Sequence, residues 1–132
     1  TWQHRPLNEK GMQQAGKLLE GKHDFTTFRA LACQSKCPVR HVYEVAVSRR
    51  GEYVYIDVHA NGFLHHMVRN IAGVLMKIGI EERPVSWISE LLQIRDRSKG
   101  GVTAPPGGLY LVDVEYDPCF GLPAAPALPV YL

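Results

Sequence analysis

The sequence predicts an α+β fold with a mainly antiparallel sheet backed by helices, and three features of the chain lead to this class. Two segments alternate apolar and polar residues on either side of a glycine-containing turn, which is typical of a β-hairpin. Longer segments repeat apolar residues every three or four positions, which is typical of helices that bury one face. Strands and helices do not alternate regularly, so a parallel sheet built from βαβ units is not expected.

The composition is that of a single globular domain spanning residues 1–132. The chain has 132 residues, of which 45% are hydrophobic and 21% are charged, and this length is enough for a core without metal or disulfide support. No apolar run approaches the roughly 18 residues that a membrane span needs. Cys33, Cys37 and Cys119 are an odd number without a secretion signal, which favours free thiols in a reducing, cytoplasmic setting. Residues 1–5 are neither a signal peptide nor an initiator start, so we expect a piece of a longer protein.

The predicted elements follow one another without an internal repeat. Met12, Ala15 and Leu19 recur at helical spacing in the first helix, and Gly21 is placed to end it. Gly51 is free to adopt a positive φ in the turn of the hairpin. In chain order, we predict a helix over residues 8–20, an extended or turn segment over 24–30, a loop over 31–38, strands over 42–48 and 53–60, helices over 63–78 and from 87 to about 95, a loop over 98–108, a strand over 109–116 and an extended, proline-rich tail over 118–132.

The helix over residues 63–78 has the most regular apolar pattern in the chain. Asn61 is placed to cap its start, and Gly79 is placed to close its end. Pro84 suits the first turn of the shorter helix that follows. The apolar stripe of the long helix consists of Phe63, Met67, Ile71, Val74, Leu75 and Ile78.

The end of the chain is predicted to be a loop, a strand and a tail. Residues 98–108 contain four glycines and two prolines, and this composition excludes regular structure. Residues 109–116 are apolar at Leu109, Leu111 and Val114, which predicts a final strand. Prolines recur throughout the tail from Pro118, so we expect it to run extended along the surface.

One polar face is predicted on the long helix. Residues three and four apart share a helix face, which places Arg69 on the same side as His65 and His66, with Gly73 following on that side. Arginine presents a planar fork that matches carboxylate or phosphate oxygens, and the small Gly73 lets another group approach closely. From spacing alone, a solvated polar face remains the alternative.

Basic residues interleaved with aromatics form a second candidate feature. Residues 1–70 carry ten Lys and Arg against six Asp and Glu, whereas residues 71–132 carry five against seven. Such a basic half can track a phosphate backbone and offer stacking faces to bases. A solvated basic surface over an aromatic core is the alternative. The basic residues of this run are Lys22, Arg29, Lys36, Arg40, Arg49 and Arg50.

No complete catalytic apparatus or cofactor site is recognisable from residue types and spacing. Cys33 and Cys37 could bind zinc together with His65 and His66, but adjacent histidines on a helix point about 100° apart. We therefore predict no metal site and expect both cysteines in a loop or the core. Neither a nucleophile elbow, nor a phosphate-binding loop, nor a pair of carboxylates flanking a cleft is present.

Three ordered motifs resemble the C-terminal half of the tRNA pseudouridine synthase A family. They are GKHDFTTFRA at residues 21–30, FLHHMVRNI at residues 63–71 and GLYL at residues 108–111. Residues 86–88 and 96–97 match as well, so the resemblance extends from about Arg5 to the end of the chain. It implies half of a pseudouridine synthase fold.

The resemblance implies an isomerase that converts uridine to pseudouridine in the anticodon arm of tRNA. It implies no cofactor and no metal, and a homodimer in the cytoplasm. Arg69 would pair with the nucleophilic aspartate of the family, and Leu109 would pack near the target base. His65 and His66 would flank the cleft wall, and we include both among the RNA-binding residues.

The same resemblance implies that this chain alone is inactive. In the family, the aspartate lies in an Arg-Thr-Asp-Ala-Gly motif of the other half, which this chain lacks. A stand-alone, non-catalytic RNA-binding or interaction module is the main alternative, and a zinc hydrolase is the other. The parent gene discriminates between the first two, since an upstream half with the motif favours the synthase. The aspartates here have other neighbours: Asp24, Asp57, Asp96, Asp113 and Asp117.

Overall fold

The computed structural model of the chain describes residues 1–123 as three α-helices and a three-stranded antiparallel sheet, which confirms the predicted α+β class. Short 3-10 turns separate some of these elements. None of the helices in the described residues combines the length and apolar content that a membrane crossing requires. The elements are α1 (Glu9–Leu19), β1 (Gly21–Asp24), β2 (Val39–Arg50), β3 (Tyr53–Ala60), α2 (Met67–Gly79) and α3 (Trp87–Ile94).

The sheet has the strand order β1-β2-β3. The predicted hairpin is confirmed, with Gly51 at a φ of 58° in its turn and Arg50 paired with Tyr53 beside it. Residues 42–50 of β2 pair with β3, with a bulge between Val42 and Glu44, whereas residues 39–42 pair with β1. The sequence pattern did not predict β1 as a strand, because only four residues pair with β2 and their polarity does not alternate.

Helices α1 and α3 lie close to their predicted bounds. The Asn8 side chain accepts a hydrogen bond from the Gly11 backbone N–H at 3.1 Å, which caps the first turn of α1. Arg95 ends α3 with a φ of 51°.

The hydrophobic core contains residues from all three helices, from β2 and from the segment that follows β1. Its largest fully buried side chains are Phe25, Phe28, Met12, Leu19, Met67, Ile71, Leu75, Ile88, Leu91, Val42, Val45 and Val74.

The predicted start of the long helix at residue 63 is wrong. Helix α2 begins at Met67, because His66 has a φ of 60° and interrupts helical geometry. The predicted cap at Asn61 is also wrong. The Asn61 side chain instead accepts a hydrogen bond from the His41 backbone N–H at 2.9 Å, which closes the end of the β2–β3 pair.

The predicted final strand over residues 109–116 is wrong. The sheet of the described part of the chain contains only β1, β2 and β3, and Leu109, Leu111 and Val114 are 48%, 78% and 51% exposed. Alternating polarity favours an extended chain, but a strand also needs the N–H and C=O groups of a neighbouring strand. We refer to residues 109–116 as the exposed segment.

The predicted tail over residues 118–132 is only partly described. Residues Pro118–Phe120 form one 3-10 turn rather than an extended chain. The Asp117 side chain caps this turn by accepting a hydrogen bond from the Cys119 backbone N–H at 2.9 Å. Residues 124–132 of the predicted tail lie outside the described residues.

Candidate functional site

A cavity of about 630 Å³ lies between residues 1–7, the turn end of the hairpin, helix α2 and residues 104–109. Arg49 and Tyr53 line it from the hairpin, and Arg69 lines it from α2. Leu109 lines it from the exposed segment. The structure therefore places Arg69 and Leu109, the two residues predicted to be catalytic, on the wall of the same cavity.

Arg69 lies in the first turn of α2, and its backbone and side chain contact the same residue. Its Nε donates a hydrogen bond to the Ala104 carbonyl at 2.8 Å, and its own carbonyl accepts one from the Ala104 backbone N–H at 3.1 Å. Within residues 1–123, its Nη atoms donate no hydrogen bond. The planar fork is therefore left for an anionic group in the cavity.

Residues 97–104, the strap, lie against the side of α2 that carries Arg69. A Cβ atom at Gly73 would overlap the Val102 carbonyl oxygen, so only glycine permits this contact. Gly73 and Arg69 are one helical turn apart and both face the strap. The group that approaches α2 closely at Gly73 is therefore the backbone of the strap.

His65 and His66 do not share a helix face with Arg69, because both precede α2. That part of the spacing argument is wrong. Their rings stack at a centroid distance of 4.0 Å, and neither ring lines the cavity. Loss of hydration lowers the pKa of His66, and the positive charges of His65, Arg69 and Arg97 lower it further.

Two of the predicted RNA-binding arginines hold the loop over residues 31–38. Arg40 donates to the carbonyls of Cys37 and Val39, each at 2.8 Å. Arg29 donates to the Ser35 carbonyl at 3.3 Å. Lys22 and Lys36, also predicted to bind RNA, are exposed at the same end of the molecule.

Arg49 and Arg50 lie at the opposite end of β2. Arg49 Nη2 donates to the Leu7 carbonyl at 2.6 Å and to Glu9 Oε2 at 3.1 Å. The Arg50 guanidinium lies 5.3 Å from the centre of the Tyr55 ring. Ten residues of strand, at about 3.3 Å each, separate Arg40 from Arg50. The predicted RNA-binding residues therefore occupy two separate ends of the sheet.

The cysteines do not assemble a metal site in the described part of the chain. Cys33, Cys37 and Cys119 are free, and residues 1–123 contain no group of three or more His, Cys, Asp or Glu side chains that could hold a metal ion. Backbone N–H groups of Ser35 and His65 point at the Cys33 sulfur and lower the pKa of its thiol.

The chain matches a protein family along most of its length. A family model described as tRNA pseudouridine synthase matches residues 15–117. The chain belongs to this family. The recognition from three sequence motifs is thereby confirmed.

Curated relatives of this chain carry the name tRNA pseudouridine synthase A. The relative from Nitrosococcus oceani is 57% identical over 123 residues, which are 93% of this chain and 48% of the relative. The relative from Pseudomonas aeruginosa is 55% identical over 123 residues, which are 93% and 43%. That from Alcanivorax borkumensis is 47% identical over 132 residues, which are 100% and 49%. The chain thus spans about half the length of these relatives.

Sequence reasoning missed the polar residues that hold the strap of this synthase chain. Asn70 is 2% exposed and contacts both Arg97 and Thr103. One signal could have found it, because Asn70 lies on the apolar stripe of α2 between Met67 and Val74. A polar residue at a core position needs buried partners.

Proposed function

We propose that this chain is the C-terminal half of a tRNA pseudouridine synthase that isomerises uridine in the anticodon arm of tRNA. The observation that carries the proposal is the Arg69 guanidinium, held at Nε by the chain's own backbone and lining a cavity. Leu109 lines the same cavity as an apolar surface suited to a base. The family and the names of the relatives support the reaction.

In the proposed reaction, this half of the enzyme binds the base and orients the carboxylate of the other half. Uridine and pseudouridine are isomers, so the base leaves through nitrogen and returns through carbon without an oxidant or reductant. A carboxylate from the other half of the enzyme performs the covalent step. Arg69 would lower the pKa of that carboxylate and fix its direction through a bidentate contact, while Leu109 packs against the base.

The chain by itself should form no pseudouridine. None of its aspartates lies in the motif that carries the family's nucleophile. That carboxylate breaks the glycosidic bond, so without it the chain has no nucleophile. Its absence also leaves Arg69 without the anionic partner that we propose for it. Full activity would require the other half, and we expect it in a cytoplasmic homodimer.

Substitution of Arg69 tests this proposal in a full-length synthase that carries this chain. We expect Arg69→Ala to lower kcat about 100-fold, since a misplaced catalytic group costs this much, with tRNA affinity nearly unchanged. Arg69→Lys should restore little, because an ammonium lacks the planar fork. Arg83→Ala is the matched control, since Arg83 contacts Trp87 outside the cavity. Normal turnover of Arg69→Ala would contradict the proposal.

We also propose that the basic residues bind the tRNA backbone. The isolated chain should bind tRNA weakly, with an affinity that falls as salt is raised. Arg50→Glu is a cleaner test than Arg49→Glu, because Arg49 also forms an ion pair with Glu9. We expect Arg50→Glu to weaken tRNA binding. A filter-binding titration at two salt concentrations measures the effect of salt and the effect of the substitution. Equal affinity at low and high salt would argue against a phosphate contact.

The alternative is a stand-alone, non-catalytic RNA-binding or interaction module, which the basic residues at the two ends of the sheet would also suit. The two proposals differ in the activity that they expect of the full-length protein that carries this chain. If the full-length protein binds tRNA but forms no pseudouridine, the module is correct. If it forms pseudouridine and depends on Arg69, the synthase is correct.

A further inference from the structure

A partly buried hydrogen-bonded network lies beside Arg69 and outside the cavity. At its centre is Asn70, which is 2% exposed. The Asn70 Nδ2 donates to the Phe28 carbonyl at 2.6 Å. Its Oδ1 accepts from Arg97 Nη2 at 3.0 Å and from Thr103 Oγ1 at 2.6 Å. The amide therefore ties α2 to the 3-10 turn that contains Phe28 and to both ends of the strap.

Arg97 completes the network from within the strap. Its Nη2 also donates to Thr103 Oγ1 at 2.9 Å, and its Nη1 donates to the Gly101 carbonyl at 3.0 Å. The planar guanidinium thus fixes the curvature of the strap. Buried polar groups with all partners in place favour one geometry, whereas removal of one partner leaves another unsatisfied.

The network is connected directly to Arg69 through the neighbouring residue of the strap. Asn70 bonds Thr103, and Arg69 bonds Ala104 through both Nε and the backbone carbonyl. Two consecutive residues of α2 therefore pair with two consecutive residues of the strap. Ala104 is 8% exposed and follows Thr103 directly, so the hydrogen bond of Thr103 to Asn70 restrains the backbone that leads to the Ala104 carbonyl.

We propose that Asn70, Arg97 and Thr103 are positioning residues for Arg69. They hold the Ala104 carbonyl where it fixes Nε, and thereby set the direction from which the guanidinium enters the cavity. The inference rests on the proposed function, because it gives the network a role in presenting Arg69 to the carboxylate. None of the three lines the cavity, so we expect their loss to lower turnover through Arg69 more than it lowers tRNA affinity.

The first experiment measures how well the hydrogen bond of Arg69 Nε to Ala104 is protected in this chain. Nuclear magnetic resonance follows the exchange of the Arg69 Nε–H proton with water. Thr103→Val keeps the shape of the side chain and removes the hydroxyl, and we expect the exchange to become about tenfold faster as the contact with Ala104 opens. Thr103→Ser restores the hydroxyl and should restore slow exchange.

Two further variants complete this measurement. Lys99→Gln is the matched control, since Lys99 lies in the strap, is exposed and is outside the network. Arg97→Lys keeps the charge but cannot contact Gly101, Asn70 and Thr103 together, so it should also accelerate exchange. An unchanged Arg69 proton in folded Thr103→Val and Arg97→Lys would overturn the inference.

The second experiment measures turnover in a full-length synthase that carries this chain. Thr103→Val should lower kcat about tenfold, with KM for tRNA within about twofold. In the double variant Arg69→Ala/Thr103→Val, the second change should cost nothing more, because the residue that it positions is absent.

Additive losses in the double variant would overturn the inference, since they would show that Thr103 acts independently of Arg69. Normal turnover of Arg69→Ala alone would instead contradict the proposed function, whatever the exchange of its proton shows. The two failures are therefore distinguishable. Rescue of kcat by Thr103→Ser separates positioning from a loss of packing.

Discussion

Helix α2 and the exposed segment are both rich in apolar residues, but only those of α2 are buried in the core of the described residues. The side chains of Met67, Ile71 and Leu75 on α2 are fully buried. Leu111 in the exposed segment is 78% exposed. Apolar patterning shows which face of a segment would be buried, but burial itself depends on what the rest of the chain places opposite.

Truncation of one side chain in each region should give the largest difference in the free energy of unfolding between the two regions. Ile71→Ala removes a fully buried side chain and should lower the free energy of unfolding by about 2–5 kcal/mol. Leu111→Ala removes an exposed one and should change it by less than about 0.5 kcal/mol. Urea denaturation of both variants measures the effect, and equal losses would show that the exposed segment packs on the core.

A pair of glycine substitutions compares the contact between α2 and the strap with the open loop that precedes the exposed segment. Gly73→Ala forces a Cβ into the Val102 carbonyl and should cost about 1–3 kcal/mol of stability, as overpacking does. Gly107→Ala is the matched control, because nothing lies within 4 Å of a Cβ there. Thermal unfolding measures both variants. A stable Gly73→Ala would indicate that the strap moves freely from α2.

Hydrogen exchange should distinguish the two regions without any substitution. Backbone N–H groups that join β2 to β3, such as those of the paired residues Ala46 and Asp57, should exchange slowly in this chain. Those of residues 111–116 should exchange within the first time points, since this segment pairs with none of the three strands. Protection of residues 111–116 at the level of the hairpin would contradict the exposed segment as described.

The smallest expected effect is the pH dependence that His66 introduces near α2. Its pKa in the folded chain lies below the ordinary value of 6.5. Stability is therefore highest with the neutral ring above pH 6.5 and falls as the pH drops through the folded pKa. His66→Asn tolerates a positive φ and should flatten this part of the profile. Identical urea midpoints for parent and variant from pH 7 to pH 5.5 would rule the effect out.

Elements that depend on local patterns could be predicted from the sequence. Helix α1 begins one residue after the predicted start because Asn8 is its cap, and the hairpin turns at Gly51. Apolar spacing, caps and turn residues act within a few residues of one another, so the sequence displays them directly. The family was recognisable for a similar reason, since each of its three motifs is contiguous.

Features that depend on distant partners could not be predicted. The pairing of Asn61 with His41 removes an apparent helix cap, and the stacked rings of His65 and His66 precede α2 instead of continuing it. Each outcome depends on a contact with residues far along the chain or on one left-handed residue. Periodicity within a window contains no information about either.

The network around Asn70 also determines when the cavity wall can form during folding. Asn70 bonds residues 27, 33 and 42 positions away along the chain. Each such closure costs chain entropy before its hydrogen bond forms, and contacts between distant residues form slowly. The strap should therefore join the molecule late and leave it early. Until the strap is in place, the Arg69 side chain has no fixed position. Catalysis by the proposed synthase would therefore begin only after this last step of folding.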